Sequence, residues 1–197
     1  MQLSDLDFSK TYSYADYLQW TFEERLELIK GKIFRMTPAP NLYHQELSAV
    51  IHGELYNYLK GKACRVFSAP FDVRLPRKNE GNEDKKIFTV VQPDVCVICD
   101  VLKLDIRGCT GAPDIVVEIL SPGNNEKELR NKYEAYEEAG IKEYWIVSPQ
   151  DKTFLKYTLA PNGRYEPSKL MTMGDVITTP VLPGFTLDLE TVFADIP

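Results

Sequence analysis

Three apolar segments decide the fold: Val90-Val-Gln-Pro-Asp94 with the strand after it, Pro113-Asp-Ile-Val-Val-Glu-Ile-Leu-Ser-Pro122, and Glu143-Tyr-Trp-Ile-Val-Ser-Pro149. The apolar runs of strands 91–99 and 114–120, in the first two segments, are too apolar for half-exposed strands and predict inner strands that are covered on both faces. A charged helical pattern over 126–139, ended by Gly140, joins the second segment to the third. A strand, a crossover helix and a strand in this order predict a right-handed, locally parallel β-α-β unit.

Two acidic residues, Asp94 and Glu118, interrupt these apolar runs. A buried carboxylate without a partner is costly, so each one needs a cation. If the two strands are neighbours, the carboxylates face each other roughly 5 Å apart and can share one divalent metal ion through oxygen ligands. Hard oxygen ligands without a nearby histidine favour Mg²⁺ or Mn²⁺ over zinc.

Local patterns predict the remaining elements, and their α and β alternation indicates an α/β sandwich with a mixed sheet. Pro70 interrupts one predicted strand and indicates an edge or a bulge there. The predicted elements are a short helix near 13–18, a helical turn from the Thr21–Glu24 capping box, strand 31–36, helix 42–60 capped by Asn41, strands 64–75, 87–99 and 113–120, a strand stop and helix cap at 121–125, strand 142–148, a hairpin of 151–158 with 164–170 around Pro161-Asn162-Gly163, and a strand with a last helical turn after Pro183.

The composition is that of an ordinary globular chain. Its 197 residues are 44% hydrophobic and 26% charged, which is enough for one substantial core and predicts a single domain. The net charge of −6 weighs against a protein that coats nucleic acid, although a local basic groove is compatible with it. No stretch approaches the ~20 apolar residues of a membrane helix, and the N-terminus lacks signal-peptide features, so we expect a cytoplasmic protein without membrane contact.

The four cysteines, Cys64, Cys96, Cys99 and Cys109, lie in or beside predicted strands. We expect buried free thiols, with a zinc or redox role as the less favoured alternative. Cys96 and Cys99 should point to opposite faces of their strand.

Several of these stretches resemble the Uma2 family, formerly the domain of unknown function DUF820, which has the restriction-endonuclease-like PD-(D/E)XK fold. The stretches that carry the resemblance, from about residue 13 to 195, are Gly31 to His44, Gln92-Pro-Asp94, Pro113 to Pro122 and Lys132 to Ser148. The resemblance implies a single nuclease-like domain over 1–197 whose mixed sheet has an αβββαβ core flanked by helices. An N-terminal extension would span 1–41, the core 42–149, and a C-terminal β-hairpin and tail 150–197.

The resemblance also implies the site. Asp94 would be the aspartate of the first motif and Glu118 the acid of the second, both binding metal together with the carbonyl oxygen of Ile119. The family pattern places a lysine two residues after Glu118, where this chain has Leu120. Lys132, on the following helix, would supply the displaced catalytic cation.

The sequence leaves the roles of four further residues open. Arg130 is the fallback for the cation, although a guanidinium orients water less well than an ammonium. Glu46 and His44, in the first turns of helix 42–60, are either surface and packing residues or additional members of the site. Asp114 lies four residues before Glu118, roughly 13 Å away along a strand, and we interpret it as structural.

The implied function is Mg²⁺-dependent hydrolysis of DNA phosphodiester bonds by a homodimeric endonuclease. The alternative is a non-catalytic nucleic-acid-binding or scaffold protein on the same fold, which Leu120 and the acidic net charge favour. A serine or cysteine hydrolase is poorly supported because the chain has two histidines, both on helix 42–60, and no Gly-x-Ser-x-Gly motif. A sugar hydrolase would need stacking aromatics around the carboxylates, which the pattern does not indicate.

Overall fold

The computed structural model describes residues 3–21, 23–36, 41–78, 80–121 and 126–196, with the backbone alone for residue 4 and residues 126–128. The predicted strand stop and helix cap at 122–125 lie outside these ranges. The elements are α1 (Tyr14–Tyr17), β1 (Leu26–Ile29), β2 (Lys32–Arg35), α2 (Leu42–Leu59), β3 (Arg65–Ser68), β4 (Val73–Arg74), β5 (Val90–Val91), β6 (Val95–Ile98), β7 (Leu104–Asp105), β8 (Gly108–Thr110), β9 (Ile115–Ile119), α3 (Glu126–Ala139), β10 (Glu143–Ser148), β11 (Thr153–Leu159), β12 (Tyr165–Pro167), β13 (Met171–Thr172), β14 (Val176–Thr178), β15 (Thr186–Asp188) and α4 (Leu189–Val192).

The main sheet has the strand order β12-β11-β10-β9-β6-β3, and β13 also pairs with β11. Strand β10 runs parallel to β9, and helix α3 connects them, which confirms the predicted β-α-β unit. The other pairs are antiparallel, including β6 with β9 and the β11–β12 hairpin. The protein is therefore a mixed α/β fold with a mixed sheet.

Both faces of the main sheet are covered. Helix α2, formed as predicted behind its Asn41 cap, packs Leu47, Ile51 and Leu55 against one face. The other face packs against α3 and against a second sheet with the order β2-β1-β5-β4-β8-β7. Strands β6 and β9, which lie within the predicted inner strands, are accordingly buried along their whole lengths. Within the described ranges, no helix combines the length and apolarity needed to cross a membrane.

The predicted helical turn at Thr21 is wrong. Residues Leu26–Ile29 instead form strand β1, which pairs antiparallel with β2. Lys30 and Gly31 connect the two strands with positive φ angles of 52° and 78°, the backbone of a tight two-residue hairpin turn. Pairing with β2 and β5 therefore outweighs the local capping-box signal.

Two predicted strands are each divided between the two sheets. Segment 64–75 contains β3, the edge strand of the main sheet, and β4 of the second sheet, with Pro70 between them. Segment 87–99 contains β5 of the second sheet and β6 of the main sheet, with Pro93 between them. Proline cannot donate to a strand ladder, so both crossings fall where the sequence weakens pairing.

The cysteine prediction is half correct. Cys96 and Cys109 are buried free thiols. Cys64 and Cys99, however, form a disulfide across 35 residues of sequence, because β3 and β6 are antiparallel neighbours and these residues flank their paired ends. Cys96 and Cys99 contact different cores on opposite faces of the sheet, as expected.

Asp114 has the structural contacts expected of it. Its Oδ2 atom accepts a hydrogen bond of 2.7 Å from the backbone N–H of Cys99, and its Oδ1 atom lies 2.7 Å from Lys142 Nζ. The carboxylate therefore joins the beginning of β9 to the end of β6, the end of the β6–β9 pair opposite to Asp94 and Glu118.

We predict that Asp114→Ala lowers the free energy of unfolding by about 1–3 kcal/mol, because a buried N–H group loses its acceptor. Urea denaturation measures the change. Asp195→Ala, at an exposed carboxylate, is the control and should change stability by less than about 0.5 kcal/mol. Equal stability of the two variants would contradict a structural role for Asp114.

Candidate active site

Asp94 and Glu118 belong to neighbouring strands, as predicted. Strands β6 and β9 pair antiparallel with Val95 opposite Val117 and Cys96 opposite Val116. Continuing this register by one step places Asp94 opposite Glu118. The two acids thus occupy facing positions where β6 begins and β9 ends, and the charge of Asp94 acts on Glu118.

Three contacts fix Asp94. Its Oδ2 atom accepts a 2.7 Å hydrogen bond from the Ile119 N–H, and its Oδ1 atom lies 3.2 Å from His44 Nε2. Its backbone carbonyl accepts a 3.1 Å bond from the Ala69 N–H. The Asn41 side chain caps α2 by accepting from the His44 N–H at 2.9 Å, so the helix start presents His44 to Asp94.

Glu118 is held by two residues of helix α3. Lys132 Nζ lies 3.1 Å from both carboxylate oxygens of Glu118, and the Tyr136 hydroxyl donates to Oε1 at 2.6 Å. Lys132 and Tyr136 are four residues apart and therefore share one helix face. The helix brings the predicted lysine to the predicted acid, whereas Arg130 is an exposed side chain beside Glu134 and does not join this group.

A residue that the sequence analysis missed, Glu27 of strand β1, completes this group. Its Oε2 atom lies 3.1 Å from Lys132 Nζ, and its Oε1 atom accepts a 2.8 Å bond from the Gln92 N–H. Glu27 is 1% exposed. An acid inside the apolar run Leu26-Glu-Leu-Ile29 is the same signal that identified Asp94 and Glu118, but the expected helical turn hid it.

Burial and neighbouring charges determine the protonation of this cluster. The pKa of Glu118 is raised to about 7, chiefly by burial; the Lys132 ammonium acts in the opposite direction, and the Asp94 and Glu27 carboxylates contribute to the rise. Burial alone would lower the pKa of Lys132, but Glu118 and Glu27 outweigh it, and this pKa lies well above its ordinary value. Lys132 is therefore a permanent buried cation shared by two carboxylates.

Gln92, the first residue of the Gln-Pro-Asp motif, anchors the segment before Asp94. Its side-chain oxygen accepts from Arg25 at 2.6 Å, and its side-chain NH₂ donates to Asp72 at 2.8 Å. With the Glu27 contact to its N–H, this side chain fixes the crossing between the two sheets. The position of Asp94 thus depends on residues of the second sheet.

The donor set suits a hard divalent cation. Two buried carboxylates, Glu27 and Glu118, contact one lysine, which leaves excess negative charge, whereas the partly buried Asp94 contacts His44, so the expectation of a site without a nearby histidine is wrong. Glu46, near His44 on α2, has a buried Oε2 atom with no hydrogen-bond partner among the described residues. In the described part of the chain no three histidine, cysteine or acidic side chains converge as a ready metal site; the Glu118 oxygens face Lys132 and Tyr136 instead. The residues present fit Mg²⁺ or Mn²⁺ in type and charge.

Comparison with known proteins assigns the chain to a family. Residues 14–190 match the model of the Uma2 family, described as "Putative restriction endonuclease", and the chain belongs to this family. A crystal structure described as a "putative nuclease belonging to DUF820", from Anabaena variabilis ATCC 29413, superposes with a TM-score of 0.71 at 18% identity and covers 93% of this chain and 98% of that one. At this identity the likeness concerns the fold. No functionally curated protein matches the sequence.

We predict that Glu27→Gln lowers the free energy of unfolding by about 1.5–3 kcal/mol, because the buried Lys132 loses a charged hydrogen-bond partner. Urea denaturation measures the loss. Glu138→Gln removes an exposed carboxylate 2.6 Å from Lys30 and should cost less than about 1 kcal/mol. Similar losses in the two variants would show that the Glu27 contact has no special weight.

Proposed function

We propose that this protein is a metal-dependent endonuclease that hydrolyses phosphodiester bonds of DNA. The observation that carries the proposal is the buried group in which Asp94 and Glu118 occupy facing strand positions and Lys132 contacts Glu118. Membership of a family described as "Putative restriction endonuclease" supports the same reaction.

The order of elements on the main sheet agrees with a restriction-endonuclease-like core. Along the chain, α2, β3, β6, β9, α3 and β10 follow the αβββαβ sequence of that fold. We extend the proposal to a single nuclease-like domain over 1–197. The segment 1–41 is then more than an extension, because it supplies β1, β2 and Glu27. A cytoplasmic homodimer, in which two sites address two strands, stays a prediction.

Asp94, Glu118 and the carbonyl oxygen of Ile119 are the proposed metal ligands, and Glu46, whose buried Oε2 has no hydrogen-bond partner among the described residues, is a candidate for a further oxygen. When bound, Mg²⁺ or Mn²⁺ supplies a Lewis acid that withdraws charge from the scissile phosphate. Asp94 is oriented for this role by the Ile119 N–H and by His44. These contacts hold the carboxylate without the entropy cost of ordering it at each turnover.

Lys132 is the proposed catalytic cation in place of the lysine that Leu120 replaces. Its high pKa keeps it charged at neutral pH, so it acts by orienting the attacking water or by stabilising charge on the phosphate, not as a general base. Glu27 contacts the ammonium from the side of the second sheet. This second partner would keep the charge of Lys132 compensated if the Glu118 oxygens bound a metal ion.

A second candidate function is a non-catalytic nucleic-acid-binding or scaffold protein. The observation that favours it is that the Glu118 carboxylate already accepts hydrogen bonds from Lys132 and Tyr136. In this case the buried cluster stabilises the fold and neither binds metal nor turns over substrate. The two functions differ in metal affinity, which can be measured without substrate.

The test is a titration of Mg²⁺ and Mn²⁺ into the wild type, Asp94→Asn, Glu118→Gln and Lys132→Arg, followed by calorimetry and by cleavage of supercoiled and linear DNA. The nuclease predicts that both acid variants lose metal binding. It further predicts that cleavage falls by at least ~10²-fold in all three variants, because each loses a group that acts on the transition state.

Asp114→Asn is the matched control, since it removes a carboxylate directly before strand β9, away from Asp94 and Glu118, while keeping an oxygen acceptor for the Cys99 N–H. It should bind metal and cleave like the wild type. A wild type that binds neither metal ion while remaining folded would contradict the nuclease and support the scaffold.

A further inference from the structure

A groove on the edge of the main sheet concentrates positive charge. It lies between the C-terminal end of α2 and strand β3 and encloses about 300 Å³. Three cations line it, Lys60, Lys62 and Arg65, all exposed, and its lining residues include no acid. Its apolar lining includes Val66 and Phe67.

The three cations have no carboxylate partner in the described part of the chain. By contrast, Lys30, Arg107 and Arg164 elsewhere on the surface each pair with a carboxylate. Lys62 Nζ instead lies 3.0 Å from the centre of the Tyr58 ring. On a chain with a net charge of −6, an uncompensated basic groove marks a local site for a polyanion.

The floor of the groove is fixed in place. Phe67 stacks on Phe71 with ring centres 4.3 Å apart, and the disulfide joins Cys64, at the start of β3, to Cys99. Because β3 is the edge strand, one row of its backbone N–H and C=O groups has no strand partner. Cations beside free backbone donors are the groups that proteins use to bind phosphodiester backbones.

The groove and the proposed active site lie at opposite ends of strand β3. Ser68, at the other end of β3, pairs with Val95, and the next residue along, Ala69, donates to the Asp94 carbonyl. Arg65 is three strand residues from Ser68, about 10 Å. Lys60 is sixteen helical residues from His44, about 24 Å. These spans correspond to the rise of about three to seven nucleotides along one DNA strand.

We propose that this groove binds the phosphodiester backbone of DNA on one side of the cleaved bond. That a bond is cleaved beside the groove rests on the proposed function, but DNA binding by the groove can be measured without cleavage. The groove supplies up to three phosphate contacts, so its contribution is electrostatic and independent of base sequence.

The experiment measures the binding of a fluorescent 24-base-pair DNA duplex by anisotropy in EDTA, at several salt concentrations. The groove variant is Lys60→Ala/Lys62→Ala/Arg65→Ala. The control variant, Lys10→Ala/Lys85→Ala/Lys152→Ala, makes the same change in net charge at cations outside the groove. Circular dichroism and thermal unfolding establish that both variants are folded.

We expect the groove variant to bind at least ~10-fold more weakly than the control at about 0.1 M salt, and the slope of log Kd against log salt to fall by about 2–3. Equal binding by the two variants would overturn the proposal, as would a wild type that binds no DNA. Loss of self-association with unchanged DNA binding would assign the groove to a second copy of the chain and overturn it too.

The outcome for the groove is separable from the outcome for the nuclease. Asp94→Asn leaves the groove intact and should bind DNA like the wild type without cleaving it. If the wild type binds DNA through the groove but never cleaves it, the nuclease fails and the groove stands. If it cleaves while the groove variant binds normally, the groove fails and the nuclease stands. The groove variant should raise KM and leave kcat nearly unchanged, because its contacts lie away from the reacting atoms.

Discussion

The structure depends on one buried ammonium group. Lys132 Nζ lies 3.1 Å from Glu118 of the main sheet and 3.1 Å from Glu27 of the second sheet, while its own backbone belongs to helix α3. Three layers of the protein therefore meet at a single charge. Removing any one partner would leave an uncompensated charge away from water, which costs more than the pair contributes.

The same buried ion pairs fix the two acids at one end of the paired inner strands β6 and β9. Asp94 follows Pro93, at the crossing from the second sheet to the main sheet, and the Ile119 N–H and His44 hold its carboxylate. Glu118 lies on the neighbouring strand and is restrained by Lys132 and Tyr136. The contacts that stabilise the two sheets against each other are thus the contacts that preorganise the site.

The net charge of the chain does not describe the local charges on its surface. The chain carries a charge of −6, but a large part of its acid is used inside ion pairs and hydrogen bonds, such as the Arg107–Asp84 and Arg164–Glu137 pairs. The cations left unpaired at Lys60, Lys62 and Arg65 produce a local field of the opposite sign. An acidic protein can therefore approach a polyanion through one groove.

Much of the fold follows from local sequence. The apolar runs around Val95 and Val117 require strands covered on both faces, and the Asn41 cap and the Gly140 stop mark helices close to their observed bounds. The acids inside apolar runs, Asp94 and Glu118, also predicted that a cation lies nearby. Apolar composition and periodicity can be recognised within a short segment, so they predict local strands and helices without the rest of the fold.

The tertiary structure alone decided which groups meet. The capping box at Thr21 predicted a helical turn, yet pairing with β2 and β5 made Leu26–Ile29 a strand and brought Glu27 to Lys132. The disulfide of Cys64 with Cys99 likewise required β3 and β6 to be neighbours. The physical reason is that a buried charge or thiol is satisfied by residues far away in the chain, and their identity is set by how sheets and helices pack.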